Sequence, residues 1–167
     1  MPGGRLFAAL RALQEGGVEF IVVGGVAAVL NGAPITTFDI DVVYSRKPGN
    51  IEALSGVLVR MDATFRAQPE RRLRPAASHL AAGGHLNLLT RYGPLDLLGT
   101  IGQDMGYQEL VPHSAEFDLG GGLRVRVLDL ETVIELKQQL GGEKDVAVLP
   151  ILRRTLSEIQ KRRTSEK

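Results

Sequence analysis

The chain has 167 residues, 44% of them hydrophobic, with a formal net charge of +1 and no cysteine. That length suits one domain with its own core and is short for two, and the lack of cysteine excludes disulfide scaffolds, thiolate metal sites and cysteine nucleophiles. No apolar run of about 18 residues and no leader of charged start, apolar stretch and small-residue cleavage site is found, so a single domain over 1–167, no membrane partner and a cytoplasmic location are expected.

In chain order, Leu6, Leu10 and Leu13, with Phe7 and Ala9, recur at helical spacing and stop at Gly16 and Gly17, which predicts a glycine-capped first helix. VEFIVV at 18–23 is rich in β-branched residues and predicts a strand. Gly24 and Gly25 follow at once, and VAAVL reads as a helix ending near Asn31 and Gly32, broken by Ala33 and Pro34. IDVVY at 40–44 is a second strand, and Pro48 suits the first turn of a helix carrying Ile51, Leu54, Leu58 and Met61. Residues 66–82, with Pro69, Pro75, Arg66, Arg71, Arg72 and Arg74, read as an irregular segment too long for a simple connection. Two hairpins follow: HLNLLTRY and LDLL around Gly93 and Pro94, then EFDL and LRVRVL around the glycine turn at 120–122. Asp129 stands as the N-cap of a helix over 131–140 closed by Gly141 and Gly142. A last helix runs from about 144 to 161 with Pro150 as a kink or break, giving a helical C-terminal segment over about 129–162. Strands and helices mix without strict alternation, so the expected fold class is α+β, one mixed β-sheet with helices packed on it.

The stretch VVGGVAAVLNGAPITTFDIDVVY at 22–44 carries the chemistry. Side chains alternate along a strand, so Asp39 and Asp41 point to one side while Ile40 and Val42 enter the core. Two like carboxylates roughly 6–7 Å apart at Cβ, from the strand rise, raise each other's pKa unless a cation lies between them. Mg²⁺ prefers oxygen and is held by one or two carboxylates plus substrate phosphates. Gly24 and Gly25, leaving a strand and opening a helix, allow close backbone approach and offer N–H groups to a phosphate. Phosphate on one side and metal-bearing carboxylates on the other describe a nucleoside triphosphate site.

Glycine pair, thirteen residues, then DID inside an apolar run resembles the nucleotidyltransferase superfamily of DNA polymerase beta type. Within it the likeness is to minimal prokaryotic members similar to the AbiEii toxin family, whose pattern runs GGxA, a helix, hG and RxTxDID, with a later helical lysine followed by KD or RD. GGVAAVLNGAPITTFDID and ELKQQLGGEKDVAVL show that pattern here, a likeness over about 18–152. Thr37 matches the threonine, Lys137 the helical lysine, and Lys144 with Asp145 the later pair; Ile35 stands where an arginine is common, leaving Thr36 or Thr37 to position the loop.

The resemblance implies a nucleotidyltransferase fold and an enzyme that binds ATP or another nucleoside triphosphate. It calls for a third carboxylate on a later strand. Asp96 in GPLDLLG is the acidic residue centred in an apolar run, whereas Asp62 ends a helix, Asp104 lies in a Gly-rich loop, Asp118 borders a turn and Asp129 caps. The implied roles are Asp39 and Asp41 on Mg²⁺, Asp96 on a second metal position and as proton acceptor, and Gly24, Gly25, Thr37 and Lys137 around the triphosphate. The reaction moves a nucleoside monophosphate to a hydroxyl of RNA or protein, and the family likeness suggests a toxin–antitoxin component with a cognate toxin or antitoxin partner. Two other readings stay open: a catalytically silent nucleotide-binding module of the same fold, and an RNA-binding protein using the 66–74 arginines and the basic tail from Arg153, for which 5% aromatic content offers few stacking rings. His79, His85 and His113 share no ligand spacing, and neither a P-loop nor a GxSxG elbow occurs.

Overall fold

The computed structural model describes residues 2–166. The first helix, α1 (Pro2–Glu15), turns Ala9, Leu10 and Leu13 into the core, as the leucine spacing requires. Seven strands then form one sheet: β1 (Phe20–Val23), β2 (Ile40–Tyr44), β3 (Thr64–Phe65), β4 (His85–Thr90), β5 (Gly93–Leu98), β6 (Ser114–Asp118) and β7 (Arg124–Leu128). Their order across the sheet is β3-β4-β5-β2-β1-β7-β6, with β1–β7 and β2–β5 parallel and the remaining pairs antiparallel. The sheet is therefore mixed, as expected. All four residues of β1 are buried, so helices cover both of its faces.

The helix α2 (Gly24–Leu30) leaves β1 without an intervening residue and packs on β1, β2 and β7. Asn31 fixes its far end, donating Nδ2 to the Ala27 carbonyl at 2.8 Å and to the Leu128 carbonyl of β7 at 3.0 Å. After β2 comes α3 (Pro48–Arg60), whose proline opens the first turn as predicted. Asn50 in that turn is buried and clamps two strand ends: its Oδ1 accepts from the Glu19 N–H at 2.7 Å, and its Nδ2 donates to the Ser45 and Glu19 carbonyls at 2.7 and 3.1 Å. Asp129 caps α6 (Leu130–Leu140) by accepting from the Thr132 N–H at 2.8 Å, and Gly141 closes it in the left-handed conformation. The last helix is α7 (Glu143–Ser165), packed along α6. Among the described residues no helix is long and apolar enough to cross a membrane.

Three local expectations change. Pro150 does not break α7, which runs on through it; the carbonyl it deprives of a donor is that of Val146, a half-exposed residue that water can reach. The β4–β5 turn lies at Arg91 and Tyr92 rather than at Gly93 and Pro94, because Thr90 Oγ1 closes it, donating to the Gly93 carbonyl at 2.9 Å and accepting from the Tyr92 N–H at 3.0 Å. Pro94 is tolerated in β5 because pairing with β2 begins only at Leu95. The irregular 66–82 segment holds a short 3₁₀ turn and α4 (Ala77–Ala82), and a further short helix, α5 (Tyr107–Leu110), follows β5.

Candidate active site

β2 lies between β1 and β5, so its residues have neighbours on both sides. Asp41 sits opposite Val23 of β1 and Asp96 of β5, and Asp96 in turn sits opposite Asn87 of β4. Opposed residues in a ladder project to the same face, so Asp41, Asp96 and Asn87 form a row across three strands. Register enforces this. Leu95 and Leu97 are fully buried, which leaves Asp96 for the other face. Asp39, one residue before β2, shares the side of Asp41 but is more open, its side chain 45% exposed against 16% for Asp96.

Crowding has an electrostatic consequence. Burial, above all, pushes the Asp41 carboxyl up to about 7; Asp96 adds to the rise as hydrogen-bond partner and as a neighbouring charge, Asp39 adds as a charge, and Lys137 acts the other way. The row therefore carries an unmet demand for positive charge.

Gly24 closes over this row. Its φ is +64°, a conformation costly for other residues, and a Cβ there would strike the Asp41 carboxylate. At Gly25 a Cβ would come within 2.8 Å of Thr37 Oγ1. Thr37 thus lies against the start of α2, and its hydroxyl donates to the Asp39 carbonyl at 3.4 Å. The two glycines let the loop before β2 and the carboxylates approach the backbone of α2.

A cleft of about 790 Å³ opens beside Gly24 and Asp41, walled by Lys137 and Asp145 and by the loop from Thr100 to Asp104. Lys137 Nζ reaches Asp145 Oδ1 at 3.3 Å, with the lysine side chain only 16% exposed. Asp145 therefore pairs with this lysine rather than with its neighbour Lys144. A second cleft of about 640 Å³ reaches Asp39, lined by Arg5, Ile35, Thr36, Phe38 and Tyr92, with Phe38 84% exposed. Asp39 and Asp41, one residue apart, thus line different clefts.

The sequence did not place Arg66 at the carboxylates. Its N–H donates to the Asn87 carbonyl at 2.9 Å, and its side chain crosses β4 so that Nη2 contacts Asp96 and Nη1 lies 3.5 Å from Asp39 Oδ2. Asn87 is the cross-strand partner of Asp96, so the guanidinium reaches one strand beyond its own anchor. The other arginines of this segment look elsewhere: Arg72 and Arg74 bind Asp62 at 2.8 and 2.6 Å, holding that carboxyl below its ordinary range, and Arg71 donates to Gln68. The only signal for Arg66 was a cluster of four arginines, and its cross-sheet reach depends on register.

The donor chemistry suits a hard divalent cation: two side-by-side carboxylates and a third at the rim, all oxygen. Among the described residues no group of three or more His, Cys, Asp or Glu side chains stands close enough to cage an ion. Arg66 instead contacts two of the three carboxylates, Asp96 and Asp39. The residues present would fit such an ion through two carboxylates, Asp41 and Asp96, with the rest of its shell supplied from outside the protein. His79 accepts from the Ala76 N–H and stacks edge-on against Phe65, and His85 lines the larger cleft without a second imidazole.

The chain is similar in fold to a crystal structure of a candidate nucleotidyltransferase from Thermotoga maritima, with a TM-score of 0.55 and 18% identity, the match covering 92% of this chain and 91% of that one. No protein-family model and no curated protein matches it. The fold is thus a nucleotidyltransferase fold.

Proposed function

We propose that this protein is a Mg²⁺-dependent nucleotidyltransferase that moves a nucleoside monophosphate from a nucleoside triphosphate to a hydroxyl of RNA or protein. The observation that carries it is Asp41, paired in register with Asp96 and lying against Gly24, in the lining of a cleft that Lys137 also lines. In this reading Asp41, with Asp39 and Asp96, would hold the metal, which would supply positive charge to the triphosphate and the reacting oxygens. Gly24 and Gly25 admit the β- and γ-phosphates to backbone N–H groups. With only seven residues in α2, their contribution is close approach more than helix dipole. Lys137 supplies a positive charge at the same phosphates, exchanging Asp145 for them.

The acceptor hydroxyl attacks the α-phosphorus, a new P–O ester bond forms, the α–β anhydride bond breaks, and pyrophosphate leaves toward Lys137. Asp96 takes the hydroxyl proton. The second cleft, beginning at Asp39 and bearing exposed Phe38, is assigned to the acceptor because it is separate from the cleft lined by Lys137. The acceptor class and a role as a toxin–antitoxin component are supported by the sequence likeness described above.

The test is transfer of label from each of the four α-labelled nucleoside triphosphates to total RNA and lysate protein, with Asp41→Asn and Asp96→Asn alongside. Transfer that needs Mg²⁺ and both aspartates is expected. A second reading, a nucleotide-binding module without catalysis, is favoured by Arg66 lying on Asp39 and Asp96; nucleotide binding with no transfer to any acceptor would select it. Failure to bind Mg²⁺-nucleotide at all would overturn both.

A further inference from the structure

Arg66 is the cation closest to the carboxylates, and its setting is unlike that of a permanent structural ion pair. Its Nη1 and Nη2 engage Asp39 and Asp96, but its Nε is buried with no hydrogen-bond partner. A guanidinium that belongs where it lies uses its fork more fully. The main chain is firmly held: the Phe65 N–H donates to the Leu73 carbonyl at 2.8 Å, the Arg66 N–H to the Asn87 carbonyl, and Phe65 packs on His79. The residues beyond it are less well suited to their conformation, since Gln68 and Arg72 flank the 3₁₀ turn with φ of +53° and +47°. The side chain thus hangs from a fixed backbone point, one strand away from the carboxylate row, with a third of its surface open.

We propose, building on the nucleotidyltransferase reading, that Arg66 is an exchangeable counter-ion: it neutralises Asp39 and Asp96 while the site is empty, yields them to the divalent cation, and transfers its charge to the incoming triphosphate. Arg66 competes with a metal ion for the same oxygens, because both need lone pairs of Asp39 and Asp96. Once displaced, it remains tethered through Asn87 beside a row that now holds metal and phosphate. A guanidinium there finds a phosphate with several acceptor oxygens, which its planar fork can bind through two parallel hydrogen bonds. The site consequently resists a bare cation and accepts one that arrives with its phosphates. This gives Arg66 opposite effects on two ligands, which a purely structural residue does not have.

The experiment measures two affinities on the full chain, for Mn²⁺ alone by electron paramagnetic resonance of the free ion and for inorganic triphosphate in saturating Mg²⁺ by calorimetry. Triphosphate is the probe because it carries the chemistry common to every nucleoside triphosphate. Arg66→Gln is expected to bind Mn²⁺ about 10- to 100-fold more tightly and triphosphate about tenfold more weakly than the unmodified protein. Arg66→Lys, which keeps a charge without the fork and serves if the glutamine variant does not fold, should move both constants in the same two directions by a smaller factor. Shifts of one sign for both ligands, or no shift in either constant, overturn the exchange while leaving the metal site standing. If the unmodified protein binds neither Mn²⁺ nor Mg²⁺-triphosphate, the nucleotidyltransferase reading fails and this proposal falls with it.

Discussion

Replacing Asp41 with asparagine should stabilise the protein above neutral pH while abolishing transfer. In the folded chain the Asp41 carboxyl holds its proton to about 7, chiefly through burial and the adjoining Asp96 and Asp39, against an ordinary value of 3.8. Between those two values the native state binds more protons than the unfolded chain, so stability falls as pH rises. The contribution is fully present below about pH 4 and is lost as pH passes through about 7. The difference, 7 minus 3.8, is about 3 units, and at 1.36 kcal/mol per unit the ceiling is about 4 kcal/mol. Asp41 also lines the open cleft, so solvent screening should bring the observed value to about 2–3 kcal/mol. An asparagine side chain has no charge to desolvate and keeps the shape, so Asp41→Asn should lack this pH slope and exceed the unmodified protein by about 2–3 kcal/mol at pH 8 in chelator. Urea denaturation at intervals from pH 4 to 8 in EDTA reads both quantities. Equal or lower stability of the variant at pH 8, or an unchanged slope, would refute the idea that Asp41 is the strained member of the row.

Gly24→Ala should cost about 1–3 kcal/mol from the left-handed φ alone and, with a methyl group against the Asp41 carboxylate, should also weaken Mg²⁺-nucleotide binding; thermal melting and calorimetry separate the two losses. Lys137→Met should raise the KM for nucleotide by about tenfold or more and leave the KM for acceptor unchanged, since Lys137 lines only the first cleft. Phe38→Ala should do the reverse, raising the acceptor KM with nucleotide affinity unmoved, and should hardly alter stability because the ring is 84% exposed. Asn50→Ala, distant from the carboxylates, should lose about 2–3 kcal/mol in denaturant unfolding, because it leaves the Glu19 N–H and the Glu19 and Ser45 carbonyls without this partner.

Features set by neighbours in sequence were legible before the structure. IDVVY spans β2 residue for residue, Pro48 opens α3, and Asp129 caps α6, because each rests on a local rule of strand propensity, N1 geometry or side-chain capping. Asp96 was reached differently: the family resemblance called for a third carboxylate on a later strand, and Asp96 was the acidic residue centred in an apolar run. What escaped prediction depends on distant pairing. β3 has two residues and exists only because β4 is there to receive it. Arg66 meets Asp96 only through the combined registers of β3 on β4 and β4 on β5. The break expected as one outcome at Pro150 is absent for the opposite reason: the orphaned carbonyl meets solvent, and Leu149, Leu152 and Thr155 bury the other side of α7.

The distribution of cations explains which carboxylate bears the strain. Three aspartates gather at the start of β2 and within β5, and Arg66 and Lys137 both act on them. Arg66 is engaged by Asp39 and Asp96, and Lys137 by Asp145. Among the described residues no basic side chain forms a salt bridge with Asp41, the most central of the three, and Lys137 acts on it only at a distance. A row built for stability alone would put an apolar residue at position 41, beside Val23 of β1. An aspartate there, under a glycine whose missing side chain makes room for its carboxylate, fits the proposed site, in which a cation arriving with the substrate would supply the charge the row lacks.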